Sequence, residues 1–88
     1  MLFRSAGPRT ALADLLAKSG DSAGAAAQLE EAVKRQPDSF ELRERLGDLE
    51  AAHGQRAEAA AAWQAALEHA PDSADRKRIA KKLRTSGH

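Results

Sequence analysis

Leu12, Leu15 and Leu16, and later Leu42, Leu46 and Leu49, recur three and four residues apart, the spacing that gathers side chains on one face of an α-helix. Between these runs lies another of Ala25, Leu29, Ala32 and Val33, and after them one of Ala59, Ala62, Trp63, Ala66 and Leu67. A last, short run of Ile79, Ala80 and Leu83 is set among charged residues. Glycine and proline separate the runs. Gly7-Pro8 opens the first helix, because proline at a helix start gives up only an N–H that would be left unbonded there. Ser19-Gly20 and Gly54 turn the chain, and Pro37 and Pro71 close the second and fourth runs. The pattern predicts five helices. Asp21 or Ser22 is the expected cap of the second, Asp38 with Glu41 forms a capping box for the third, and Asp72 caps the fifth. Gly24 falls inside the second helix, at a cost of about 1 kcal/mol against alanine. Residues 1–6 and the closing Thr85-Ser86-Gly87-His88 are expected to fray.

The runs also repeat. Residues 6–39 align with residues 40–73 at an offset of 34 with no gap, and 14 of the 34 pairs are identical. The matches include Leu12 with Leu46, Asp14 with Asp48, Ala25 with Ala59, Gly20 with Gly54, and Pro37-Asp38-Ser39 with Pro71-Asp72-Ser73. A fixed period of this length marks a supersecondary unit stacked on itself. The small residues have a place in such a stack. Two antiparallel helices approach closely only where facing side chains are small, so Ala13 or Gly47 against Ala25 or Ala59 sets the spacing, and Leu29 and Trp63 fill the gap to the next unit.

The phased positions Leu46-Gly47, Gly54, Ala59, Trp63, Ala66-Leu67 and Pro71 resemble those of a tetratricopeptide repeat, and Leu12-Ala13, Gly20, Ala25, Leu29, Ala32-Val33 and Pro37 supply the same slots in the first copy. Arg9 and Arg43 depart from the family pattern where a large apolar residue is common, and Glu50 departs where Leu16 keeps the apolar choice. The resemblance implies an all-α fold: a short, right-handed helical-repeat solenoid of two antiparallel helix hairpins, 6–39 and 40–73, followed by a C-terminal capping helix at 74–85, together one domain over 1–88. One apolar stripe on an otherwise charged helix suits a cap, because nothing stacks on its far side.

Composition narrows the function. At 88 residues the chain makes one domain that buries about 60–65% of its unfolded surface. There is no cysteine, hence no disulfide framework and no thiolate site. No apolar run approaches signal-peptide or membrane-span length, so a cytoplasmic location is the default expectation. The net charge of +1 is unevenly placed: residues 1–71 carry 8 basic and 11 acidic side chains, residues 72–88 carry 6 and 2. His53, His69 and His88 have no mutual ligand spacing, and two of them sit at helix ends, where the helix dipole favours them. Ser19, Ser22, Ser39 and Ser73 lie at helix boundaries, where capping explains them. No phosphate loop and no paired catalytic carboxylates are present. The sequence therefore points to a protein without enzymatic activity, cofactor or metal.

Relatives of this repeat class hold partners along the inner, concave side of the first helix of each hairpin. By resemblance that row is Thr10, Asp14, Lys18, Glu41, Glu44, Asp48, Arg78 and Lys82, with Ala17, Ala51 and Asp75 beside them. Members that grip a chaperone's terminal carboxylates need lysine and asparagine there, and Thr10 and Asp14 exclude that activity. The expected function is a protein–protein interaction scaffold for a partner peptide or helix; the plainer alternative for the same row is a solvated face on which Asp48 pairs internally with Arg78. Two further alternatives accompany it. The six cations between Arg76 and Arg84 would attract nucleic acid or an anionic membrane, although no aromatics interleave for base stacking. Alternatively, Leu12, Leu15 and Leu16 make the first helix apolar over more than one contact, unless Met1-Leu2-Phe3 covers it, which predicts self-association or an adjoining repeat in a longer chain.

Overall fold

The computed structural model describes residues 7–86 and consists there of five helices: α1 (Gly7–Lys18), α2 (Ser22–Arg35), α3 (Phe40–Ala52), α4 (Arg56–His69) and α5 (Ser73–Ser86). Each helix packs on the next in chain order, α1 on α2, α2 on α3, α3 on α4 and α4 on α5. Two hairpins and a terminal helix thus form the expected all-α stack.

The two hairpin turns are built alike. Gly20 and Gly54 have φ of 92° and 82°, a left-handed conformation that costs glycine nothing. At each turn the glycine N–H donates to the carbonyl three residues back, from Ala17 or Ala51, and the next N–H reaches five back, from Asp21 to Leu16 and from Gln55 to Glu50. This is a Schellman closure, and it satisfies the last carbonyls of α1 and α3. The cap of α3 differs from the sequence expectation. Asp21 caps α2 through a 2.9 Å bond from the Gly24 N–H, but α3 is capped by Ser39, whose hydroxyl accepts from Leu42, and not by Asp38. The helix simply begins one residue later than the Asp-x-x-Glu spacing implies. At the other end of the chain, α5 continues through Thr85 and Ser86 where fraying was expected. The Thr85 hydroxyl donates back to the Lys81 carbonyl. Residues 1–6, with the Met1-Leu2-Phe3 cover, and Gly87-His88 lie outside the described residues.

The core falls into two clusters, and each crosses a repeat boundary. Ala13, Ala25, Leu29, Ala32 and Leu42 join α1, α2 and α3, and Ala59, Trp63, Ala66, Ala70 and Ile79 join α4 to α5, with Phe40 and Ala51 of α3 packed against them. Slots one period apart have the same burial: Ala25 and Ala59, Ala32 and Ala66, Leu29 and Trp63 are all interior. The expected division of labour between small and large residues is modified at Trp63. Besides meeting the α5 cluster, its indole lies across Gly47 of its own hairpin, where a Cβ would come within 2.5 Å of both Cδ1 and Nε1.

The helical glycines Gly24 and Gly47 share a propensity cost but differ in their surroundings. At Gly24 an added Cβ meets only the Asp21 carboxylate, which can rotate away. Gly24→Ala should therefore cost no more than about 1 kcal/mol, the helix gain offsetting a disturbed cap. Gly47→Ala should destabilise by roughly 1–2 kcal/mol despite the better helix former, because a buried tryptophan must move. Urea unfolding of the two variants checks the contrast.

Candidate functional site

Because α5 stacks beyond α3 in the same register, residues one period apart face each other across the interface. Arg78 donates from Nε and Nη2 to the two carboxylate oxygens of Glu44, both at 2.8 Å, and from Nη1 to Asp75 at 2.7 Å. Lys82 donates to Glu44 at 2.7 Å and to both oxygens of Asp48 at 2.8 and 3.0 Å. Trp63 completes the set by donating its indole N–H to Asp48 at 3.1 Å. The Asp48–Arg78 pair of the solvated-face alternative is replaced by other partners. Stacking sets equivalent slots opposite one another, so Arg78 takes Glu44 and Asp48 takes Lys82, each 34 residues away.

The network is a charged seam rather than a free row of ligands. Glu44 is only 8% exposed and is met by a guanidinium fork and an ammonium together. The hydrogen bond from Arg78 is the largest influence on its carboxyl; burial opposes it and Lys82 reinforces it, and the net result is a fall from the ordinary 4.5 to about 2. Arg78 is held protonated chiefly by Glu44 and then by Asp75. At Lys82 burial works against the charge, but the bonds to Asp48 and Glu44 outweigh it and the ammonium is favoured.

The remaining expected site residues are distributed around this seam. Asp14 of α1 pairs with Arg45 of α3, a partner the sequence reading did not name. Between those helices runs a groove of about 440 Å³ lined by Ala13, Ala17, Leu29, Leu49 and Ala52, with Asp14, Arg45 and Asp48 beside them. Lys18 is exposed at the end of α1. Glu41 lies apart, in a shallow dent with Arg35 and the loop that joins the hairpins. Arg43, one of the departures from the family pattern, donates twice to the Pro37 carbonyl and clasps that loop. Thr10 belongs to α1, but its side chain lies outside the described residues.

Glu50 is the residue whose role the sequence reading missed. It occupies the slot of Leu16, on an apolar stripe, and is 7% exposed with its Oε1 unpartnered. Burial, and then the nearby carboxylates of Glu30 and Glu58, push its pKa up. The signal was visible as a glutamate among leucines. Among the described residues no three His, Cys, Asp or Glu side chains are placed to hold a metal ion, and no helix is long and apolar enough to cross a membrane.

Stacked helical hairpins with small residues at the crossings and a polar terminal helix define a helical-repeat solenoid. A family model described as Tetratricopeptide repeat matches residues 10–75, and the chain belongs to that family, whose repeats are generally protein–protein interaction modules. Among curated proteins, no match reaches significance.

Two carboxylates with opposite shifts give opposite pH signatures. Glu44 has a folded pKa below its unfolded one, so its stabilisation is full above pH 4.5 and is lost as pH falls toward 2. Wild type should thus lose about 1–2 kcal/mol relative to Glu44→Gln across that window, a figure reduced for the solvent around Arg78, when both are unfolded in urea at stepped pH. Glu50 has a folded pKa above its unfolded one, so its contribution is best at low pH and falls as pH rises through the folded value. Glu50→Leu should accordingly stabilise the protein by about 1–2 kcal/mol at pH 7, with the advantage shrinking in acid.

Proposed function

We propose that this protein is a non-catalytic scaffold that holds a peptide or helix of a partner protein in the groove between α1 and α3. The observation that carries the reading is the groove itself: an apolar floor of Ala13, Ala17, Leu49 and Ala52 set between the charged pair Asp14–Arg45 and the Asp48 end of the seam. An apolar helix face would bury against the alanines, and polar residues beside it would meet the charges at the rim. In this reading Asp14, Arg45 and Asp48 orient the partner, Lys18 extends the row at its α1 side, and Glu44, Arg78 and Lys82 act indirectly by holding Asp48 in place. Glu41 would contact only a partner long enough to reach the loop between the hairpins.

A photo-crosslinking amino acid at Ala52, which is exposed in the groove, should capture a discrete partner in cells, whereas the same group at the exposed Glu68 of α4 should not. Ala17→Arg should abolish the Ala52 adduct without changing helicity. Equal labelling from both positions would remove the basis for the groove assignment.

One further observation supports a second mode of association. Leu12 and Leu15 are 41% and 63% exposed on α1, the first of the described helices. We infer that this strip pairs with a second copy or with an adjoining repeat. Sedimentation equilibrium should show concentration-dependent dimers that Leu15→Glu weakens while the helical circular-dichroism signal is retained. A strict monomer at high concentration would discard this mode.

A further inference from the structure

A second cavity lies away from the α1/α3 groove, among α2, the end of α3 and the start of α4. It has a volume of about 270 Å³, a wall of Ala23, Ala26 and Ala27, and three carboxylates, those of Glu30, Glu50 and Glu58. Glu50 is nine-tenths buried there, and its Oε1 accepts no hydrogen bond. Buried acceptors are almost always bonded, so this oxygen lacks the donor that such a position ordinarily has. The cavity is smaller than the roughly 300–1,000 Å³ of pockets that take drug-sized ligands, which suits one side chain rather than a helix.

We propose that this cavity receives an arginine side chain of a partner protein, its aliphatic stem against the alanines of α2 and its guanidinium on Glu50, Glu30 and Glu58. Arginine fits the demand on each count. Its stem packs on apolar surface while its head remains polar, and its planar fork offers five donors in fixed directions to carboxylates spread over three helices. Lysine would bring three donors around a compact charge, without the planar fork that meets carboxylates in fixed directions. Entry of the cation would also favour the ionised form of Glu50, which burial disfavours in the free protein, so binding should weaken as the pH is lowered and Glu50 protonates. The site uses none of the α1/α3 groove residues except Leu49, which lines both cavities, so either site can fail its test without the other.

The test is a titration of the full ¹⁵N-labelled chain with N-acetyl-arginine amide, using the isosteric, uncharged N-acetyl-citrulline amide as control. The expected result is saturable shifts at the amides of Ala26, Ala27, Glu50 and His53 with arginine and none with citrulline. Glu50→Gln, which keeps the side-chain shape, should weaken binding by roughly tenfold or more, the scale of one charge-assisted hydrogen bond. Glu58→Gln, at an exposed position, should weaken it measurably with no risk to the fold. Equal shifts with citrulline, shifts confined to other surfaces, or affinity unchanged in both variants would overturn the proposal.

Discussion

Everything in this molecule depends on helices that stack with equivalent positions in register. The period of 34 residues places Ala59 where Ala25 stands, Trp63 where Leu29 stands and Ala66 where Ala32 stands, and all six are buried. Small side chains at the crossings bring the helices close, and the larger ones fill what remains. At Gly47 the indole of Trp63 occupies the space a side chain would need. The same register carries over to α5, which stands in the place of a third first helix. It therefore meets α3 through Glu44 with Arg78 and Asp48 with Lys82, pairs separated by one period. Apolar burial at Ile79 and the charged seam act together to hold α5 on the stack.

The seam changes how the inner face works. A row of charges read from sequence suggests a recognition surface, but here most of those charges are bonded to one another. A buried or half-buried pair resists separation, since removing one partner strands the other in low-dielectric surroundings. Other surfaces lie outside the seam's own bonds: the alanine-floored groove beside Asp14 and Arg45, the leucines of α1, and the acidic cavity around Glu50. These surfaces lie on different combinations of helices.

The helices, turns and repeat were legible because each rests on local chemistry. Gly20 and Gly54 mark left-handed turns whatever surrounds them, and the phase of alanine and leucine fixes which face is inward. What was not legible depended on three-dimensional detail. Asp38 and Ser39 are both competent caps, and only the helix start decides in favour of Ser39. Asp48–Arg78 is a sensible pair on a helical wheel, but stacking geometry selects the partner one full period away. The hydrogen bond from Trp63 to Asp48 joins a core residue to a surface one, which no periodicity argument separates from ordinary burial. Glu50 was conspicuous as a departure from the apolar pattern, yet its isolation became evident only with the cavity and its neighbouring carboxylates in view.

The central claim is that the inner-face charges of α3 hold the cap in place. A double-mutant cycle on Glu44 and Lys82, which are 2.7 Å apart, tests it most directly. Glu44→Gln, Lys82→Met and the double variant would be unfolded in urea at pH 7 and low salt. The account predicts a coupling energy of about 1 kcal/mol, so the double variant loses less than the sum of the single losses. Strictly additive losses would contradict it and return these residues to the status of an open, solvated face.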